Sequence, residues 1–276
     1  MAKTLGFYQN FNLDLQRLSK ALRCVQSEPE MGHSMLANCM SANQPVAEGF
    51  AAWLRHTGLV ITAPHSESQK GVGHKLTPFG ELVYQYDPTL TDRGTQWILH
   101  YYLTTKRSET SDAWHMLINN YLPTCLNFTS EQFQVYFMSS VGSVKNRSAL
   151  VKDPLAALFT YTRQEALAQL RILDKSSKIY IVKQPLIPSV LVAGYMLLDW
   201  WNYRYSETNT IRFSQLCQEE ESIGRLCLVD ASQVRQYVVA LTGLGYLSFS
   251  ETQHEPVHRL YQGQPVSLLE DYYKQR

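Results

Sequence analysis

The sequence predicts a mainly helical fold, with the same helix–hairpin module at each end of a helical middle region. Two observations carry that reading. First, one pattern occurs twice. A helix rich in small polar residues is closed by Gly, and a short apolar strand, a polar loop and a return strand follow. The early copy is Ser41-Ala-Asn-Gln-Pro-Val-Ala-Glu-Gly-Phe-Ala-Ala-Trp-Leu-Arg-His-Thr-Gly-Leu-Val-Ile-Thr, returning at His74-Lys-Leu-Thr-Pro-Phe-Gly. The late copy starts at Asp230-Ala-Ser-Gln-Val-Arg-Gln-Tyr and returns at His258-Arg-Leu-Tyr. Second, apolar residues between the copies recur three or four apart, the helical period. Helix, glycine stop and hairpin is the order of a winged helix, a fold that usually sets a helix in a DNA groove.

Residues 11–27 read as an amphipathic helix, with Leu15, Leu18, Leu22 and Val25 on one face. Pro29 ends it, and Gly32–Met40 forms a second short helix. Ser41 or Asn43 caps the next one, Pro45 sits in its first turn, and Gly58 stops it. Leu59-Val-Ile-Thr is β-branched and extended. Ala63–Gly73 suits a wing tip, and Lys75–Phe79 returns. Asp87-Pro-Thr-Leu-Thr-Asp breaks the pattern. Helices follow around Trp97–Leu103 and over 111–122, 129–140 and 153–172, with Ser130 and Asp153 at capping positions. Lys178–Lys183 is a short strand, and Val190–Tyr205 is an apolar helix. Leu268–Arg276 is read as a polar, frayed tail. The division predicted is 1–86 (winged helix), 87–185 (helical middle) and 186–276 (winged helix).

Composition narrows the function. Hydrophobic residues make up 45% of the 276, so the chain can bury a core and is not disordered. The net charge of +1 excludes a dedicated non-specific DNA coater, so any nucleic-acid contact uses local patches. Five scattered Cys without a Cys-x-x-Cys fit reduced thiols in the cytoplasm, and no structural zinc site. No apolar run is long enough for a bilayer. The N-terminus does not read as a targeting segment.

Four stretches carry a family resemblance: Phe50-Ala-Ala-Trp-Leu-Arg-His-Thr-Gly-Leu-Val, Leu76-Thr-Pro-Phe-Gly, Tyr86-Asp-Pro-Thr-Leu-Thr-Asp-Arg-Gly-Thr-Gln-Trp-Ile-Leu-His-Tyr-Tyr-Leu and Lys152-Asp-Pro-Leu-Ala-Ala-Leu-Phe-Thr-Tyr. Through them, residues 38–175 resemble a prokaryotic domain family of unknown function. Its genes tend to lie beside those for DNA phosphorothioation and phage defence. The Asp-Pro-x-Leu-x-Asp block is the most specific of the four. The family often opens with a Gly-His-Glu-Thr-Phe-like stretch, where Gly6-Phe-Tyr-Gln-Asn-Phe stands here. The resemblance implies a component of a DNA modification or restriction system and names no reaction.

The first candidate site is the helix Asn43–His56 with its wing. Ser41, Asn43 and Gln44 stand at a helix N-terminus, where amides meet phosphate and Asn or Gln can pair with adenine. Arg55, Lys70 and Lys75 supply cations against Glu67, and His56, His65 and His74 add charge if protonated. The second is Gln233 with Arg235 in the late copy, where the local charge is balanced and Glu219-Glu-Glu would repel phosphate. The third is Asp87, Asp92, Trp97 and His100. Two carboxylates and a His can bind a metal or move protons, but turn, cap and core roles explain them as well. The fourth is the loop with Lys145 and Arg147, next to Lys152. Trp200, Trp201, Tyr203 and Tyr205 could stack bases, although helical spacing puts about half of them in the core. There is no Walker-type loop, no Gly-x-Ser-x-Gly elbow and no Pro-Asp…Glu-x-Lys nuclease pattern.

The expectation is therefore a non-catalytic subunit that binds double-stranded DNA, without cofactor or bound metal, alongside other subunits of a modification or defence complex and away from membranes. A regulator of that locus, a winged-helix adaptor that binds only protein, and an enzyme centred on Asp87–His100 are the alternatives.

Overall fold

The computed structural model describes residues 5–28, 30–63, 73–106, 111–142 and 146–276. Its first elements follow the sequence closely. Helix α1 (Leu15–Ser27) begins where the Asp14 carboxylate accepts the Arg17 N–H at 3.0 Å. Helix α2 (His33–Met40) ends on Ser41 in the left-handed region. Helix α3 (Gln44–His56) is capped by the Asn43 side chain, which accepts the Val46 N–H at 3.1 Å. Gly58 closes it at φ +74, where a Cβ would strike the Tyr102 ring. Strands β1 (Val60–Ala63) and β2 (Gly73–Leu76) pair antiparallel, with Val60 opposite Leu76. Helix α4 (Pro78–Tyr86) starts at the Thr77 cap. Helix α5 (Arg93–Thr104) starts at the Asp92 cap. Helix α6 (Asp112–His115) runs on into a π-helical stretch, Met116–Tyr121.

The middle region is not purely helical. Strand β3 (Asn127–Thr129) leads into α7 (Ser130–Val141) and α8 (Arg147–Thr162), and β4 (Leu173–Ser176) and β5 (Ile179–Val182) follow. The three strands form an antiparallel sheet in the order β3-β5-β4. After α9 (Val190–Arg204), the chain repeats this path. Strand β6 (Thr210–Arg212) leads into α10 (Phe213–Gln218), α11 (Ile223–Leu226) and α12 (Ala231–Gly243), then β7 (Leu247–Phe249) and β8 (Pro256–Arg259), in the order β6-β8-β7. The junctions match as well. A Gln side chain accepts the N–H of the last strand residue in both, Gln132 from Thr129 at 2.7 Å and Gln215 from Arg212 at 2.8 Å.

Three expectations are corrected. The helix expected at 153–172 is α8, at 147–162. Asn146 caps it, and Asp153 lies buried inside it, accepting the Gly6 N–H at 2.9 Å. The tail expected to fray is α13 (Val266–Lys274), which buries Leu268 and Leu269 against α9 because those two residues complete its apolar face. The expectation of reduced thiols fails for one pair. Cys24 and Cys39 are disulfide-bonded, tying α1 to α2, while Cys125, Cys217 and Cys227 are free. One contiguous apolar core runs from Tyr8 to Tyr273. No helix among the described residues is long and apolar enough to cross a membrane.

Candidate nucleic-acid interface

Helix α3 offers solvent little more than its first turn. Ala47, the run Phe50–Leu54 and His56 are buried, because α1, α2 and β1 close around the helix. Ser41, Asn43 and Gln44 are exposed at its start, as the interface reading needs. Two of their polar atoms already have partners, however. The Asn43 oxygen caps the helix, and the Gln44 amide donates to Glu48 Oε1 at 2.8 Å. Glu48 places a carboxylate on the same turn. Arg55, near the far end of the helix, is half-buried. Lys75 is exposed on β2 opposite Ile61. Lys70 and Lys145 lie outside the described residues, as do His65 and Glu67.

Of the three histidines expected to add charge, the two described ones, His56 and His74, do not. Burial lowers His56 to about 3, with Arg55 adding to the effect. Burial, then Arg55 and His33, lowers His74 to about 4. Both are neutral at physiological pH and bring no charge to a phosphate.

In the last unit, the Gln233 N–H is taken by the Asp230 cap at 2.9 Å, and its side chain borders an open groove. Arg235 is engaged within the unit. Its guanidinium bonds Glu251 at 3.0 Å and Glu255, and it lies over the rings of Phe213 and Phe249 at 4.7 and 5.2 Å. The Glu219-Glu-Glu run also makes internal contacts. Glu221 is buried and accepts the Lys106 N–H at 2.6 Å, while its own N–H donates to Asn119. Glu220 accepts from Asn120 at 2.8 Å and lies 3.6 Å from Lys106 Nζ. The His115 side chain first, then Asn120 and Lys106, hold its carboxyl well below the usual range. The run thus joins the C-terminal unit to the π-helical stretch. Arg147 is exposed at the start of α8, and the neighbouring Lys152 donates to Asn10 at 3.0 Å.

Asp87, Asp92 and His100 do not converge on one point. The Asp87 carboxylate accepts the N–H groups of Thr91 and Asp92 at 3.1 and 3.0 Å, shaping the turn. Asp92 caps α5 at Thr95 and also accepts from the Tyr272 hydroxyl and the Arg276 guanidinium. His100 is fully buried. Its ring nitrogens face the Tyr161 hydroxyl at 2.8 Å and the Leu226 carbonyl at 3.0 Å, and burial lowers it to about 4. It is a core histidine. Of the aromatic cluster, Trp200 and Trp201 are buried and Tyr203 is exposed, close to the expected half.

A family model described as "Protein of unknown function (DUF4007)" matches residues 9–273. The chain belongs to the DUF4007 family. The match reaches well past the 38–175 stretch that carries the sequence resemblance. No curated protein matches the chain. Among solved structures, this DUF4007 chain is similar to "Magnesium ion-bound SspB crystal structure", with a TM-score of 0.81 and 16% identity over 99% of this chain and 88% of that one. It is also similar to "SspB crystal structure", with a TM-score of 0.79 and 17% identity at the same coverage. At such identities the likeness is one of fold. Among the described residues no side-chain cluster stands ready for a carboxylate-held metal. No group of three or more His, Cys, Asp or Glu among the described residues is placed to hold one, and the paired Asp87 and Asp92 already hold backbone N–H groups and Arg276.

Proposed function

We propose that this chain is a non-catalytic DNA-binding subunit of a prokaryotic DNA modification or anti-phage defence system, recognising DNA or positioning partner enzymes on it. The observation that carries the reading is the repeated helix–helix–hairpin path. The middle unit runs strand, two helices and hairpin, the last runs strand, three helices and hairpin, and the order α1-α2-α3-β1-β2 of the first supports a winged-helix plan. That plan sets a helix in a groove and hairpin cations on the backbone. The assignment to a phosphorothioation or defence locus rests on the family resemblance of residues 38–175. The test is a titration of labelled duplex DNA at two salt concentrations. Duplex binding that weakens with salt supports the reading. No binding at low salt overturns it in favour of the protein adaptor.

A further inference from the structure

One basic segment lies away from the hairpin that the sequence pattern singled out. From Arg171 to Lys183, four cations (Arg171, Lys175, Lys178 and Lys183) stand against one anion, Asp174. The hairpin over 60–76 carries two cations against one anion, and that over 247–259 carries one against two. The two glutamates of the last hairpin also hold Arg235. Charge thus separates three hairpins that share a plan. The β4–β5 hairpin is also more open than that over 247–259, with Asp174 to Ile179 exposed without a break. Register sorts its cations, with Lys175 on the Tyr180 face and Lys183 on the opposite face beside Asp174. Lys175 pairs with Tyr180 across the strands, and its ammonium lies 5.3 Å from that ring centroid. Lys183 follows the end of β5, 3.8 Å from the Asp174 carboxylate in an exposed pair that binds weakly and can exchange for a phosphate. Glu131, at the start of α7, is within electrostatic reach of Lys178.

The base of this hairpin opens into a groove. Val182, Lys183 and Gln184 form one side, and Arg225, Asp230 and Gln233 at the start of α12 form the other. Beyond it α12 presents Ser232, Gln236 and Val239 to solvent, a more open face than α3 has.

We infer that the β4–β5 hairpin is the wing that contacts the phosphates of duplex DNA, entering between two backbone strands with Lys175 on one face, Lys183 on the other and Lys178 at the turn, the Lys183 face leading toward Arg225 and α12. This rests on the DNA-binding reading and relocates its contact from the first unit to the middle one. Phosphate contacts of this kind fix position and carry little sequence information.

The test compares wild type, a Lys175→Ala/Lys178→Ala/Lys183→Ala triple variant, the corresponding triple Arg variant, and Lys75→Ala, each titrated against one labelled duplex over a salt series. Each lost phosphate contact lowers the slope of log affinity against log salt by about one. The triple Ala variant is expected to lose about three from the slope and to bind on the order of tenfold more weakly at low salt. The Arg variant keeps both values, and Lys75→Ala stays within about twofold of wild type. The substituted positions are exposed, so matching thermal melts are expected. If the triple variant melts early, Lys178→Glu alone reads the same effect. A triple Ala variant that binds as wild type does would overturn the hairpin assignment and leave the DNA reading standing. A wild type that ignores duplex at low salt would overturn both.

Discussion

Asp153 gives the sharpest stability prediction. It is only 1% exposed in the middle of α8, facing the Gly6 N–H and the Tyr8 hydroxyl. Burial raises its carboxyl from 3.8 to about 6, opposed by the Gly6 and Tyr8 hydrogen bonds. The native state therefore holds the proton that the unfolded chain has released, so stability falls as pH rises from about 4 through 6. A rise of this size corresponds to about 3 kcal/mol in full, of which about 1.4 kcal/mol falls between pH 5 and pH 8. Asp153→Asn cannot ionise. Any fixed loss from the new amide is the same at both pH values and cancels. Urea unfolding of wild type and variant at pH 5 and pH 8 should show the variant gaining about 1.4 kcal/mol on wild type between them. A difference that stays flat would mean that Asp153 ionises freely in the folded protein, and the reasoning from burial would fail.

Three further predictions concern the core. Gly80→Ala places a Cβ 2.0 Å from the Leu59 carbonyl oxygen, so α4 must move off the strand junction. The expected loss is about 2 kcal/mol by urea unfolding, and a loss under about 0.5 would show that the helix slides freely. His100→Ala leaves a cavity and strips partners from the Tyr161 hydroxyl and the Leu226 carbonyl. It should lower stability by about 3 kcal/mol, and an unchanged melt would contradict its core role. Reducing the Cys24–Cys39 bond, which closes a separation of 15 residues, should lower stability by about 3 kcal/mol. A Cys24→Ala/Cys39→Ala variant indifferent to reductant should match the reduced wild type.

The first unit was legible because its signals are local. Asn43, Pro45 and Gly58 mark where α3 begins and stops, and Leu59-Val-Ile-Thr has β-branched residues. The last unit was legible for the same reason, through the Asp230 cap and the hairpin after it. Of the middle sheet only β5 was, as the strand read at Lys178–Lys183. Strand β3 spans three residues with Phe128 alone buried, and β4 reads Leu-Asp-Lys-Ser, a polar stretch that takes extended form only because β5 pairs with it. Asp153-Pro154 mimics a helix start, yet packing against Gly6 and Tyr8 holds it inside α8, and Asn146 provides the cap. The candidate site suffered from the same gap. Sequence pattern pointed to Asn43, Gln44 and Lys75, while the β4–β5 pairing was needed to see that Lys175, Lys178 and Lys183 belong to one hairpin. The charge count over 171–183 was the available signal.

The seating of α13 has a thermodynamic consequence. Units repeated along a chain usually melt piecemeal, because each touches only its neighbours. Here the last helix packs on α4 in the first unit, its Tyr273 stacks on Tyr86, and Tyr272 and Arg276 meet Asp92 at the start of α5. Loosening the final turn therefore weakens the opening unit directly, without passing through the middle. The three units are coupled as a closed loop, and calorimetry should record one heat-absorption peak rather than a staircase of three.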